Sequence, residues 1–225
     1  MQAIVFGANG ALGSAICDTL QLHSWNVIRA SRSKRQGYEI DLSKDDWAAE
    51  IPDRGGVDAL IWAQGINSAG TVISTSQNDL LDSFSANVGF ISETLAQLVK
   101  ANALNAPCRG VVISSIWQNN ARSEKFAYMV SKSALQGLVT SVSLDLADIG
   151  FSINAVLPGV IDSPMTRSRL SVDQIQSIET DTPGGKLASA SDVARAVEFL
   201  AGSGSAGING QFISVDNGWS VNRNV

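Results

Sequence analysis

Ala3-Ile4-Val5-Phe6-Gly7-Ala8-Asn9-Gly10-Ala11-Leu12-Gly13 is the stretch from which the rest of the chain is read. Four consecutive apolar residues suit a strand buried on both faces. The glycines that follow, spaced G-x-x-G-x-x-G, let a strand turn sharply into a helix and let backbone approach a pyrophosphate without Cβ clashes. The helix N-terminus then offers free N–H groups and a favourable dipole to phosphate. A glycine-rich turn that merely packs a helix on a strand would look similar. The position at the first βα junction favours the phosphate reading.

Outward from this stretch, short apolar runs alternate with longer amphipathic ones, the pattern of βαβ units on a parallel sheet. Strands are expected at Ala3–Phe6, Asn26–Ala30, Tyr38–Ile40, Ala59–Ala63, Val111–Ser114, Ser152–Leu157 and Gln211–Val215. Helices are expected at 11–23, 44–50, 77–103, 126–149 and 190–202, the third interrupted near Asn87–Gly89. The expected fold is α/β, a single doubly wound, Rossmann-like domain over residues 1–225. Its sheet would have about seven parallel strands with helices on both faces, and ligands would bind outside their carboxyl ends. Pro164 to about Lys186 has poor periodicity and many polar residues, and reads as a mobile excursion over that end, a substrate lid.

With 225 residues, 44% hydrophobic and 16% charged, the chain can bury a sizeable core without staples. A net charge of −5 argues against nucleic acid as a partner. Cys17 and Cys108 lack metal-type spacing and suit a reducing cytoplasm, and one histidine, His23, cannot build a metal site by itself. Met1 to Phe6 run into Gly7 with no basic start and no cleavage site, and no apolar run approaches a membrane span. The expectation is a soluble cytoplasmic protein with no metal, nucleic-acid or membrane partner.

The second strand ends Val27-Ile28-Arg29-Ala30-Ser31-Arg32. An NAD site wants an acidic residue here for the ribose 2′-hydroxyl. Ser31 and Arg32, with Lys34 and Arg35 nearby, instead offer a hydroxyl and cations that could neutralise a 2′-phosphate. A solvated basic loop would look the same. The missing carboxylate is the stronger half of the argument, and NADP is favoured over NAD.

Tyr128-Met129-Val130-Ser131-Lys132 places a phenol and an ammonium four residues apart, on one face of a helix. A neighbouring ammonium would stabilise phenolate and lower the tyrosine pKa, as general acid–base chemistry near neutral pH requires. Ser115 follows the strand Val111–Ser114, at the end where a ligand would lie, and Asn87 falls at the interruption of the long helix. Each residue alone has a plain structural reading: a strand-end serine, a helix-break asparagine, a surface lysine. Together they point to one site.

With these landmarks the chain resembles the short-chain dehydrogenase/reductase family along essentially its whole length. The matching positions are the Gly-rich loop, Asp41-Leu42, Ala63-Gln64-Gly65, Asn87, Ser115, Tyr128 with Lys132, Asn154, Pro158-Gly159 and Val215-Asp216-Asn217-Gly218. The resemblance implies that Tyr128 gives a proton to a carbonyl oxygen or takes one from an alcohol. Ser115 would bond that oxygen. Lys132 would tune Tyr128 and hold the nicotinamide ribose, and Asn87 would hold a water relaying protons to Lys132. It also implies a cofactor site of Gly7, Asn9, Gly10, Leu12, Gly13, Ser31, Arg32, Asp41, Leu42, Ala63, Gln64, Gly65, Tyr128, Lys132, Pro158, Gly159, Ile161 and Ser163. The hydride chemistry belongs to the cofactor, NADP by preference. A homo-oligomer, dimer or tetramer, is implied as well. Three positions depart from the family pattern: Ala11 where glycine is usual, Trp62-Ala63-Gln64-Gly65 for the usual Asn-Asn-Ala-Gly, and Ser163 for threonine.

The implied reaction is interconversion of a small-molecule carbonyl and alcohol. Trp117, Gln118, Asn119, Phe126, Met165 and Trp219 stand near the expected pocket, with Arg122 and Lys125 on the same loop. A 3-oxoacyl thioester reductase is an alternative within the family. A dinucleotide-sensing protein without catalysis is the alternative outside enzymes, favoured by the altered glycine spacing and opposed by the complete Asn87, Ser115, Tyr128 and Lys132 set.

Overall fold

Alternate residues of the first strand serve two different cores. Ile4 and Phe6 are buried with Trp62, Ile91, Leu95 and Leu135, whereas Ala3 and Val5 are buried with Ile16, Leu20, Val193 and Val197. A strand covered on both faces belongs in the middle of a parallel sheet. That is its place in the computed structural model, which describes residues 1–31, 40–42 and 46–222.

The strands are β1 (Gln2–Phe6), β2 (Asn26–Ser31), β3 (Ile40–Asp41), β4 (Val57–Trp62), β5 (Leu104–Ile113), β6 (Phe151–Pro158) and β7 (Phe212–Val215). They pair in parallel in the order β3-β2-β1-β4-β5-β6-β7. The chain steps outward from β1 to β3 and returns to β4. The direction of winding therefore reverses between β1 and β4, and a doubly wound sheet opens its ligand crevice at that point.

The helices are α1 (Ala11–Leu22), α2 (Gln77–Phe84), α3 (Phe90–Lys100), α4 (Phe126–Asp145), α5 (Pro164–Arg169), α6 (Val172–Asp181) and α7 (Ala190–Ala201). Residues of α1 and α7 fill one core, and residues of α3 and α4 fill the other. The expected break in the long helix is a π-helical turn, Ser85–Gly89, joining α2 to α3. Such turns often sit at functional positions. Cys17 and Cys108 are free and buried, and burial pushes their thiols up to about 11 and about 12. They stay protonated and inert near neutral pH.

Several expectations need adjustment. β5 begins at Leu104 rather than Val111, because its first four residues are partly or fully exposed and lack the signature of a buried strand. The helix expected over 126–149 ends at Asp145 and continues as a 3₁₀ turn, Ala147–Ile149, closed by Gly150 at φ 78°. In place of the helix expected over 44–50 there is a 3₁₀ turn, Trp47–Glu50, whose Trp47 is buried. Residues 43–45 and most of the strand expected at Tyr38–Ile40 lie outside the described residues, as do Arg32, Lys34 and Arg35. Of Ser31 and Asp41 only the backbone is described, and the two pair across β2 and β3.

Residues 164–186 carry α5 and α6, where no regular secondary structure was expected. Neither helix contributes a buried residue, so neither shows an apolar stripe. The available signal was the capping box of Ser171 and Gln174, with N–H···O bonds of 2.9 and 3.2 Å. Both ends of the segment are fastened. Arg167 grips Asp162 through two bonds of 2.7 and 2.8 Å, and Asn217 Nδ2 donates to the Lys186 and Leu187 carbonyls, each at 3.2 Å. Among the described residues no helix is long and apolar enough to cross a membrane.

Candidate active site and dinucleotide cleft

Ser115 leaves the carboxyl end of β5 in extended conformation, 5% exposed, and its Oγ accepts the Trp117 N–H at 3.3 Å. Tyr128 lies in the first turn of α4, half-buried, with the Ser115 side chain near enough to act on its phenol. One turn further, Lys132 is 4% exposed. Its Nζ donates to the Ile113 carbonyl at 2.8 Å and stands 5.7 Å from the centre of the Tyr128 ring.

Burial sets the electrostatics of this trio. The charged form of a buried group loses hydration, so phenols rise and ammoniums fall. Lys132 falls from 10.5 to about 8 for this reason. Tyr128 is pushed above its ordinary value by burial, and the neighbouring Ser115 side chain offsets part of the rise. The expected lowering of the phenol by Lys132 is therefore not met in the unliganded chain. The ammonium sits over the ring and bonds a backbone carbonyl. The phenol accordingly stays neutral near pH 7, which is the form that donates a proton.

Asn87, in the π turn, is 1% exposed. Its Oδ1 accepts the Ile66 N–H at 2.8 Å, and its Nδ2 donates to the Ile66 carbonyl at 3.0 Å and to Ser131 Oγ at 2.8 Å. Ser131 Oγ in turn donates to the Tyr128 carbonyl at 2.8 Å. Asn87 thus ties the segment after β4 to α4 immediately beside Tyr128 and Lys132. Ser131 was not among the expected site residues, although it lies inside the quoted Tyr128–Lys132 stretch.

At the switch point, a cleft of about 930 Å³ is lined by Gly7, Ala8, Asn9, Gly10, Ala30, Leu42, Ala63, Gln64 and Gly65. The same wall continues through Trp47, Asp82, Glu93 and Gln97, which sequence reasoning did not single out. Gly7, at φ 76°, faces Gln64 so closely that an added Cβ would come within 2.6 Å of the Gln64 nitrogen. A Cβ on Gly13 would overlap the Gly7 carbonyl oxygen. Gly10 caps α1 with no side-chain bond to the helix N–H groups. Among the described residues, both amide atoms of Gln64, and Oε1 of Gln97, are buried without a protein partner. A buried amide without partners is costly, and a polar ligand in the cleft would supply them. Glycine cradle, uncapped helix and orphaned amides fit a dinucleotide.

The remaining expected positions lie beyond this cleft. Leu12 packs against the α1/α7 core. Pro158 ends β6 opposite Val215, and the Gly159 N–H donates to the Val215 carbonyl at 3.0 Å. Ile161 bridges Ala188, and Ser163 Oγ accepts the Thr166 N–H at 3.2 Å as the cap of α5. Asn154 is structural: its side chain bonds the Ile208 carbonyl and the Gln211 N–H, both at 2.9 Å. Of the residues placed near the pocket, Trp117 and Trp219 meet edge to face at 5.1 Å. Gln118 is instead buried and accepts Ser114 Oγ at 2.8 Å, which makes it part of the loop's own frame.

A family model described as enoyl-(acyl carrier protein) reductase matches residues 21–220. The 3-oxoacyl-(acyl-carrier-protein) reductase FabG of Rickettsia felis is 29% identical over 96% of this chain and 95% of its own. Among solved structures, a single-residue variant of the actinorhodin polyketide ketoreductase with NADPH has a TM-score of 0.86 at 24% identity, covering 97% of each chain. The 3-oxoacyl-(acyl-carrier protein) reductase of Brucella melitensis in complex with NAD also has a TM-score of 0.86, at 22% identity, covering 99% of this chain and 98% of its own. The last two likenesses bear on the fold.

Proposed function

The chain belongs to the short-chain dehydrogenase/reductase family, an oxidoreductase family of carbonyl and alcohol chemistry, and from that premise we propose an NADPH-dependent reductase of a small-molecule ketone or aldehyde. The observation that carries the reading is the placement of Tyr128 beside Ser115, with Lys132 Nζ 5.7 Å from the centre of its ring. Ser115 orients the carbonyl oxygen, and Tyr128, held neutral by burial, donates the proton to it. Lys132 holds positive charge beside the phenolate that remains, and presents its other N–H groups to ribose hydroxyls. Asn87 fixes the segment on which Tyr128 and Lys132 depend. A bound nicotinamide supplies the hydride.

The preference for NADP rests on Ser31 and Arg32 and on the absence of an acidic residue at the end of the second strand. Residues 164–186 serve as the substrate lid. A single domain, a cytoplasmic location and a homo-oligomer belong to the same proposal. Exposed Leu81 and Phe84 on α2, and Val130 and Leu144 on α4, support the oligomer. Elution at two or four times the 23.6 kDa chain mass would be the result in sizing chromatography. The FabG relative favours a second reading, reduction of a 3-oxoacyl thioester.

The test is NADPH and NADH binding, then a carbonyl panel that includes a 3-oxoacyl thioester, with wild type and Tyr128→Phe. Turnover that is lost in Tyr128→Phe supports the reductase. Tight NADPH binding without turnover would turn the reading to a sensor, and no binding to either nucleotide would sink it.

A further inference from the structure

Resting on the reductase reading, we propose that the substrate is an anionic carbonyl compound whose carboxylate or phosphate is held by Arg122, Lys125 and Arg169 at the mouth of the active site. Arg122 and Lys125 lie between β5 and α4 and Arg169 ends α5, and in the fold the charges of Arg122 and Arg169 both act on Lys125. Among the described residues none of the three has a carboxylate partner. Arg29, Arg167 and Arg195, by contrast, are each paired with an aspartate. Three cations without a carboxylate partner among the described residues, set so that the charges of Arg122 and Arg169 both act on Lys125, make a local positive patch in a chain of net charge −5.

Their placement beside the chemistry is direct. The Trp117 N–H bonds Ser115 Oγ, the Arg122 guanidinium lies 5.2 Å over the Trp117 ring, and Trp219 closes the other edge of that ring. Lys125 is the N-cap residue of α4, three residues before Tyr128. Its Nζ donates to Asn67 Oδ1 at 2.8 Å. Burial lowers the Lys125 pKa, and the charges of Arg122 and Arg169 lower it further, against a smaller opposing effect of Glu124. Like charges this close repel, and an anion between them relieves the repulsion while gaining charge-assisted hydrogen bonds. The Trp117–Trp219 pair supplies an apolar wall for the short carbon chain between carbonyl and anion.

The experiment compares acetoacetate with its methyl ester, measuring kcat/KM with NADPH for wild type and for the Arg122→Gln/Arg169→Gln double variant. A parallel titration of 3-hydroxybutyrate and its methyl ester follows tryptophan fluorescence in the presence of NADP, with Trp117→Phe as the control for the reporting ring. The expected result is at least a tenfold acid-over-ester preference in wild type that falls tenfold or more in the double variant. A saturable signal from the anion alone, weakened by salt, is expected beside it. Equal kcat/KM for acid and ester, or a ratio unmoved by the substitutions, overturns the proposal while the reductase reading stands. Anion binding without turnover of either compound keeps the anion site, and the reductase reading then falls if the carbonyl panel is not turned over either. Absence of both preference and saturable binding overturns the proposal.

Discussion

At the catalytic end of the crevice the side chains already have protein partners: Asn87 makes three hydrogen bonds, Ser131 two, Ser115 accepts the Trp117 N–H, and Lys132 bonds the Ile113 carbonyl. At the phosphate end the helix N-terminus is uncapped and, among the described residues, Gln64 has no partner for either amide atom. The contrast separates two tasks. Groups that transfer a proton must be fixed before substrate arrives, because misplacement by an ångström is costly in rate. Groups that bind a large polar ligand can receive their last hydrogen bonds from it, at the expense of the unliganded chain.

The sharpest way to break this comparison is Tyr128→Phe. If the catalytic end acts through the phenol, kcat should fall by about two to four orders of magnitude, the usual worth of a general acid. NADPH should still titrate, since the Gly-rich loop and Gln64 are untouched. Stopped-flow single turnovers beside an NADPH fluorescence titration check both halves. A parallel loss of binding and turnover would mean that the two ends are not separate.

Next in size is the burial of Lys132. One pKa unit is worth about 1.36 kcal/mol, so a fall from 10.5 to about 8 makes the charged ammonium cost roughly 3 kcal/mol in the folded chain. Between those values the unfolded chain keeps a proton that the folded chain has lost, so this group's contribution to stability rises with pH across that window. Urea unfolding of wild type and Lys132→Met should show wild type gaining on the variant from pH 8 upward. The buried cysteines act in the opposite direction at alkaline pH, but equally in both proteins. Parallel stability curves would show that the ammonium is hydrated rather than buried.

Legibility in the sequence follows the same divide. β1, β4 and β6 were visible because burial on both faces leaves an unbroken apolar run, and Tyr128 and Lys132 because a helix turns four residues into one face. α5 and α6 were not, since helices without buried residues have no stripe to show. Gln97 and Trp47 were invisible as site residues: they reach the cleft from elements whose packing no local pattern encodes. The convergence of Arg169 with Arg122 and Lys125 is likewise a product of the fold.

Smaller effects separate the glycines. Alanine at position 13 would drive its Cβ into the Gly7 carbonyl and to 2.8 Å from the Ala8 Cα, backbone against backbone, and should cost about 1–3 kcal/mol by overpacking. Alanine at position 10 would meet only the Gly7 oxygen, at 3.5 Å, with φ at −71°, so its Tm should match wild type. Any loss of NADPH affinity in Gly10→Ala then reports how closely the ligand approaches the backbone. Equal Tm losses in both variants would show that the loop does not adopt this geometry.

The smallest effect carries the most direct test of the contrast, because its two readouts move in opposite directions. Gln64→Leu keeps the side chain's size and removes two buried polar atoms that have no protein partner. An unsatisfied buried polar group costs about 1–3 kcal/mol, so the unliganded variant should be more stable than wild type, by about 1 kcal/mol once repacking is allowed for. The same change removes the donor and acceptor that a dinucleotide would meet, so NADPH affinity should fall by about tenfold, equivalent to about 1.4 kcal/mol. Thermal unfolding without nucleotide, followed by NADPH titration, reads both. Destabilisation of the unliganded variant would mean that Gln64 already has partners. Unchanged affinity would mean that the ligand does not reach this amide. Only a gain in the free chain with a loss in the bound one fits a cleft whose polar groups are satisfied by what it binds.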